Sequence, residues 1–269
     1  MKIIKSINKL NKQVDFKANV GFVPTMGALH KGHLSLIDSS KKKCKKTLVS
    51  IFVNPAQFNK KNDYDKYPKN IIKDLNILRK KKVDYVFIPK ISEIYENKKS
   101  MKIPIDSKDK VLCAKYRKGH FEGVLAVINQ LLRIINAKYI FLGKKDYQQV
   151  YLIKKFIKNK FNIKVIACNT VRDNNSLAYS SRNLLLNRND LIKASLVTRK
   201  VKSIYNQIKK NVNNAKKINN TKKKIFKDGV KIEYLEIRNK YNLSKKYNKK
   251  NFKIFIAFYV NKVRLIDNF

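Results

Sequence analysis

Tryptophan is absent, and cysteine, proline, glycine and acidic residues are scarce: 3 Cys, 5 Pro, 7 Gly and 18 Asp plus Glu in 269 residues. Cys44, Cys113 and Cys168 are too few and too widely spaced for a disulfide framework or a zinc cluster, and their odd number fits a reducing compartment. No apolar run reaches the roughly 18 residues of a membrane span, and residues 1–10 lack the apolar stretch and cleavage site of a secretory leader. A soluble, cytoplasmic chain without a membrane partner is expected.

The shortage of acid leaves 63 Lys plus Arg against those carboxylates, a formal charge of +45. Lys and Arg neutralise phosphates without regard to sequence, so such a chain invites a nucleic-acid reading. The excess is nearly all Lys, however, accompanied by Asn and Ile along the whole chain, with Arg at only nine positions. That pattern reads as the compositional drift of AT-rich codons. Adhesion to polyanions at low salt is expected, with no specific nucleic-acid partner. The 43% hydrophobic fraction is enough for a sizeable core.

Residues 20–23 form a short apolar run ending at Pro24, followed by a Gly-containing turn and a helix-like segment over 31–44. Residues 47–53 are β-branched and apolar on both faces, as a parallel strand covered by helices would be. Ile71, Leu75 and Leu78 recur at helical spacing, and 85–88 reads as the next strand. Residues 91–118, rich in Lys and Asn, suggest a long excursion or lid. Val124, Val127, Ile128, Leu131, Leu132 and Ile135 then trace a helical stripe, followed by a strand over 139–142, a helix carrying Val150, Ile153 and Ile157, and a strand over 164–168. Past Arg182 the texture changes. A helix over 191–208, a polar Lys/Asn tract over 211–227 and strands within 230–237 and 252–267 suggest a small α+β unit. The fold class is α/β: a Rossmann-like open parallel sheet domain over 1–175 and a smaller α+β C-terminal domain over 176–269.

The sharpest chemical signal is Pro24-Thr25-Met26-Gly27-Ala28-Leu29-His30-Lys31-Gly32-His33, directly after the first of these strands. A strand-to-helix turn presents backbone N–H groups and the positive end of a helix dipole, which attract phosphate. His30 and His33, three apart, point to the same side of the first helical turn. Two of the three histidines share this turn, and the third, His120, sits in Arg117-Lys118-Gly119-His120-Phe121 at the mouth of another helix. The turn is neither a Walker loop nor a Gly-x-Gly-x-x-Gly fingerprint. His-x-Gly-His after the first strand resembles the nucleotidyltransferase superfamily, whose members attack the α-phosphate of ATP and expel pyrophosphate. Alone it leaves the substrate open, another adenylyl- or cytidylyltransferase included.

Asn54-Pro55-Ala56-Gln57-Phe58 ends the following strand, placing two neutral amides, suited to hydroxyls and carboxylates, at the same carboxyl edge. Gly143-Lys144-Lys145-Asp146-Tyr147-Gln148-Gln149 repeats the strand-to-helix geometry. Lys145 can meet a phosphate, Asp146 can hold Mg²⁺, and Gln149 faces the same way as Asp146. Tyr179-Ser180-Ser181-Arg182 offers hydroxyls and a guanidinium to a phosphate.

In this order the segments resemble the pantoate–β-alanine ligase family. The likeness runs from Val23-Pro24-Thr25-Met26-Gly27 through Tyr67-Pro68-Lys69 and Gly119-His120-Phe121 to Arg264-Leu265-Ile266-Asp267-Asn268. The resemblance implies a two-step, ATP-dependent condensation of pantoate with β-alanine through pantoyl adenylate, with Mg²⁺, in a homodimer whose small second domain closes over the site. It implies that Met26, Gly27, Ala28, Leu29, His30, Lys31, Gly32 and His33 wrap ATP, with His33 as proton donor and His30 and Lys145 assisting. Gly143, Lys144, Lys145, Asp146, Val171, Tyr179, Ser180, Ser181 and Arg182 complete the nucleotide site. Gln57 contacts pantoate and β-alanine, Gln149 contacts pantoate, and Asp146 is the metal candidate. With an ordinary pKa of about 6.5, His33 can be charged beside a polyphosphate at neutral pH, a state that bound ATP favours.

The chain departs from the family pattern in places. Lys144 stands for Glu, Asn175-Ser176 for Asp-Gly, Tyr179 for Leu, Cys113-Ala114 for Glu-Gly and Lys118 for Pro. None removes a principal contact, but the lost carboxylates bear on metal binding and loop order.

Overall fold

Apolar, β-branched segments separated by amphipathic helices build a six-stranded sheet in this computed structural model, which describes residues 1–59, 61–95, 101–210, 214–227 and 229–269. Its strands are β1 (Lys2–Ile4), β2 (Val20–Thr25), β3 (Lys46–Ile51), β4 (Tyr85–Phe87), β5 (Tyr139–Gly143) and β6 (Lys164–Cys168). They run parallel in the order β1-β4-β3-β2-β5-β6. Connecting them are α1 (Ile7–Gln13), α2 (Lys31–Lys43), α3 (Lys61–Asp65), α4 (Ile71–Lys80), α5 (Ile91–Ile94), α6 (Cys113–Tyr116), α7 (His120–Ile134) and α8 (Tyr147–Ile157).

The strand order reverses between β2 and β5, and open α/β sheets bind ligands beyond the carboxyl ends of strands at such a point. The turns after Thr25 and Gly143 are therefore neighbours by topology. Pro24 survives in this central strand because β2 pairs with β5 only at Gly21 and Phe22, so its missing N–H removes no bond from that ladder.

The short elements β1, α1, α3, α5 and α6 escape sequence patterning. β1 and α1 are three and seven residues long, too short for periodicity to register. Residues 101–118, expected as an excursion or lid, instead pack on the sheet domain. Ile105 and Leu112 join its core, Ile103 N–H donates to Glu122 O at 3.0 Å, and Gln148 donates to Val111 O at 2.7 Å. Residues 96–100 of that segment lie outside the described residues.

The chain continues with α9 (Arg188–Lys210), α10 (Asn214–Lys227) and an antiparallel sheet of β7 (Lys231–Asn239), β8 (Phe252–Val260) and β9 (Val263–Asn268). The polar tract is thus helical from 214 onward; 211–213 lie outside the described residues. The stretch 252–267 divides into two strands at Asn261, whose φ of 52° lies in the left-handed region that asparagine tolerates in turns. Alternation along β8 sorts its two faces. Ile254, Ile256 and Phe258 pack with Val197, Val201 and Ile204 of α9, whereas Phe255 and Ala257 join the core that contains Phe22 and Leu142. The small sheet is therefore fixed against the large one by a shared apolar contact.

Candidate functional site

The loop after β2 is held rigidly before any ligand arrives. Gly27 and Ala28 both adopt left-handed backbone, with φ of 78° and 48°, which for alanine costs about 1 kcal/mol or more. The cost is offset by Asp74 of α4, a buried carboxylate that accepts from Ala28 N–H at 2.9 Å and Leu29 N–H at 2.8 Å. Gly27 is required twice over, since a Cβ there would stand 2.8 Å from Asp74 Oδ2. Thr25 Oγ1 accepts from Gly27 N–H at 3.2 Å and donates to Ser50 O at 2.7 Å, and Ser181 Oγ donates to Ala28 O at 3.1 Å. The sequence reading expects the amides of this loop to be free for phosphate. Those of Gly27, Ala28 and Leu29 are already taken within the chain. Asp74 carries a legible signal: it lies four residues before Leu78, on the apolar face of its helix.

His30 begins α2 as its N-cap, and its Nδ1 accepts from Gly32 N–H at 3.1 Å. Nδ1 must therefore be unprotonated, leaving Nε2 to carry the hydrogen. The two imidazoles stack with centroids 4.0 Å apart and planes 27° from parallel. Burial, then the neighbouring His33, then Lys145 push the His30 pKa down to about 2, and burial followed by Lys145 brings His33 to about 4. In the free chain both rings are therefore neutral, and each retains one N–H donor; the charge expected on His33 beside a polyphosphate belongs to the nucleotide-bound state. His33 Nδ1 is buried without a hydrogen-bond partner among the described residues.

Lys145 stands in the 3-10 turn Lys144–Asp146 after β5, its ammonium 3.3 Å from Asp146 Oδ1. Lys144 points elsewhere, donating to Asn169 Oδ1 at 2.9 Å. Lys31 lies with its Nζ 5.7 Å from the centre of the Tyr179 ring, whose plane is 20° from that of His30. Arg182 is paired with Asp63 at 3.1 and 3.0 Å.

Gln57 is 9% exposed in the 3-10 turn Pro55–Gln57, and its neighbours orient it. Asn54 Nδ2 donates to Gln57 Oε1 at 3.2 Å, Tyr95 Oη donates to Asn54 Oδ1 at 2.9 Å, and Gln57 Nε2 rests 2.8 Å from Met26 Sδ. Its backbone carbonyl accepts from His120 Nδ1 at 2.7 Å. His120 Nε2 accepts from Arg117 at 2.9 Å, and burial with Arg117 holds this imidazole well below its ordinary pKa. His120 is thus a fixed, neutral hydrogen-bond bridge. Sequence alone places it at a helix mouth without giving it a role.

These groups surround one cavity of about 260 Å³. The loop after β2 and the first turn of α2 contribute Met26, His30, Gly32 and His33; the segments after β3 and β5 contribute Gln57, Gly143, Lys145, Asp146 and Gln149. Val171, Tyr179, Ser180, Ser181 and Arg182 also line it, and α7 supplies Val124, Val127 and Ile128 as apolar lining. Gly27, Ala28, Leu29, Lys31 and Lys144, expected at the nucleotide, do not line it. Residues beyond the expected set do: Tyr67, Arg117, Arg264 and Asn268. Their signals are present in the quoted motifs, but nothing in their spacing says that strand β9 returns to this edge.

The model of the family described as pantoate-beta-alanine ligase matches residues 2–269. A pantothenate synthetase of Francisella tularensis subsp. mediasiatica is 41% identical over 268 residues, covering 99% of this chain and 95% of that protein. One from Clostridium botulinum is 38% identical, covering 97% and 94%. The crystal structure of pantothenate synthetase from Thermus thermophilus superposes with a TM-score of 0.93 at 27% identity, covering 100% of this chain and 99% of that one. The Francisella tularensis pantoate-beta-alanine ligase complexed with beta-gamma ATP and beta-alanine gives 0.85 at 38% identity, covering 100% and 97%. By sequence along its whole length and by fold, the chain belongs to the pantoate–β-alanine ligase family.

Proposed function

We propose that this chain condenses pantoate with β-alanine at the expense of ATP. A pantoate carboxylate oxygen attacks the α-phosphorus and pyrophosphate leaves, giving pantoyl adenylate. The β-alanine amine then attacks the acyl carbon, loses a proton and displaces AMP. The observation that carries this reading is the convergence of His30, His33, Lys145, Gln57 and Gln149 on one cavity in a chain matched to the family over 2–269.

No protein nucleophile is needed, so catalysis comes from alignment and from donors aimed at developing charge. His33, which gains its proton beside the polyphosphate charge, is assigned as proton donor, with His30 Nε2–H and the Lys145 ammonium beside it. Gln57 and Gln149 hold the pantoate carboxylate and hydroxyls, Gln57 also receives β-alanine, and the α7 wall suits an aliphatic body. Val171, Tyr179, Ser180, Ser181 and Arg182 take the rest of the nucleotide. Asp146 fits Mg²⁺, for which one carboxylate plus nucleotide phosphates is a usual donor set; among the described residues no cluster would hold a metal alone. When bound, the ion supplies neutralisation of phosphate charge.

Residues 1–175 serve as the nucleotide- and pantoate-binding domain and 176–269 as the closing one. Exposed Leu184, Leu185 and Ile192 supply apolar surface for a homodimer. The three free, buried cysteines support a cytoplasmic placement. Purified protein should form pantothenate and AMP in equal amounts only when pantoate, β-alanine, ATP and Mg²⁺ are all present. AMP release without pantothenate, or no product, would reject the assignment.

A further inference from the structure

Two walls of the cavity are fastened to the same two residues of the last strand. Asn268 is 6% exposed, and its Nδ2 donates to Lys144 O at 2.9 Å and to Lys145 O at 2.8 Å. Both hydrogens of one amide are thus committed to the turn that carries the Lys145 ammonium. Asn268 thereby meets two of that turn's carbonyls from outside the turn.

The preceding residue holds a second part of the lining. Asp267, also buried, receives Arg172 in a two-pronged pair, Nη1 to Oδ2 at 2.5 Å and Nη2 to Oδ1 at 2.8 Å. Asp267 Oδ1 also accepts from Asn268 N–H at 2.8 Å, and Arg172 donates to Asn268 O at 3.3 Å and to Ser176 O at 3.0 Å. Arg172 follows Val171 and bridges to Ala178, and Tyr179 N–H returns to Val171 O at 3.1 Å. The hairpin bearing Val171 and Tyr179 is therefore registered on the same dipeptide as the Lys145 turn.

Bidentate charge-assisted pairs and buried two-donor amides specify geometry more than they add net stability. A displacement of about 1 Å at a reacting group can cost roughly 10² in rate. We propose that Asn268 is a positioning residue for the nucleotide: it sets where the Lys145 ammonium stands by holding both carbonyls of its turn, while Asp267 holds the neighbouring hairpin through Arg172. The last strand thereby registers both segments of the lining on one dipeptide. That role rests on the reading that Lys145 meets nucleotide phosphate, which the ATP affinity of Lys145→Ala alone tests separately.

The test is a double-mutant cycle in the full chain, with Asn268→Ala and the near-isosteric Asn268→Asp each made alone and together with Lys145→Ala. ATP affinity is read by calorimetry, and kcat and KM for ATP and pantoate are measured on the active variants. Each Asn268 variant should weaken ATP binding about tenfold while moving the pantoate KM less than about twofold, and should change ATP affinity less than about twofold once Lys145 is already Ala. A variant that melts as the wild type does and binds ATP as tightly would overturn the role. So would equal losses in both backgrounds, or a matching rise in the pantoate KM, either of which marks Asn268 as merely structural. Should Asn268→Asp fail to fold because of its added charge, Asn268→Ala, which adds none, decides the same question.

Discussion

Gly123 of α7 lies directly against Ala56, so that a Cβ built on it would come within 2.2 Å of the Ala56 carbonyl oxygen and 2.8 Å of the Gln57 amide nitrogen. The obstruction is backbone, which cannot swing aside as a side chain does. Gly123→Ala should therefore push the Pro55–Gln57 turn away from the cavity, destabilising the chain by about 1–3 kcal/mol and raising the pantoate KM more than the ATP KM. Thermal melts and steady-state kinetics check both; a variant with the wild-type pantoate KM would show that Gln57 does not depend on this packing.

The stacked histidines impose a pH dependence whose sign follows from their environment. His30 and His33 titrate at about 2 and about 4 in the fold, against an ordinary value of 6.5. Between those values the unfolded chain binds more protons, so stability should rise with pH from about 4 to about 6.5 and be lost on acidification. His120 adds to the slope with the same sign. Melting temperatures across this range measure it, and ¹⁵N imidazole shifts should show His30 as the Nε2–H tautomer throughout. A charged His30 at pH 6 would contradict the cap seen at Gly32.

Replacing His33 by Ala should lower the adenylation rate by roughly 10² or more, with smaller effects on pantoate affinity. Pre-steady-state formation of pantoyl adenylate is the appropriate readout. If the first step is unchanged and only amine transfer slows, His33 is not the proton donor assigned here.

Asp74 touches no substrate, yet its two oxygens hold the amides of Ala28 and Leu29. Asn keeps one acceptor and brings an N–H group against the second amide, so Asp74→Asn should cost about 2–4 kcal/mol of stability and weaken ATP binding as Ala28 leaves its left-handed conformation. Chemical denaturation with ATP titration tests this, and unchanged nucleotide affinity would detach the loop from the site.

Much of this architecture is legible because it repeats physical patterns at adequate length. The β2 and β5 strands, the α7 stripe and the two strand-to-helix turns carry hydrophobic periodicity and glycine placement that admit few alternatives. The paired imidazoles are conspicuous in a chain with three histidines. What escapes is relational. No local signal says that Asp74 occupies the loop amides, that Ile105 and Leu112 fold back into the core, or that Asn268 reaches Lys145 across 123 residues of chain. The neutral state of His33 escapes for the same reason, since an imidazole's pKa follows burial and neighbouring charge that sequence does not specify.

The central claim is that this cavity activates pantoate on the α-phosphate of ATP. Isotope exchange between pyrophosphate and ATP measures that step directly, without β-alanine. Rapid exchange that requires pantoate and disappears in His33→Ala is expected. Exchange that proceeds without pantoate, or none in its presence, would contradict the account.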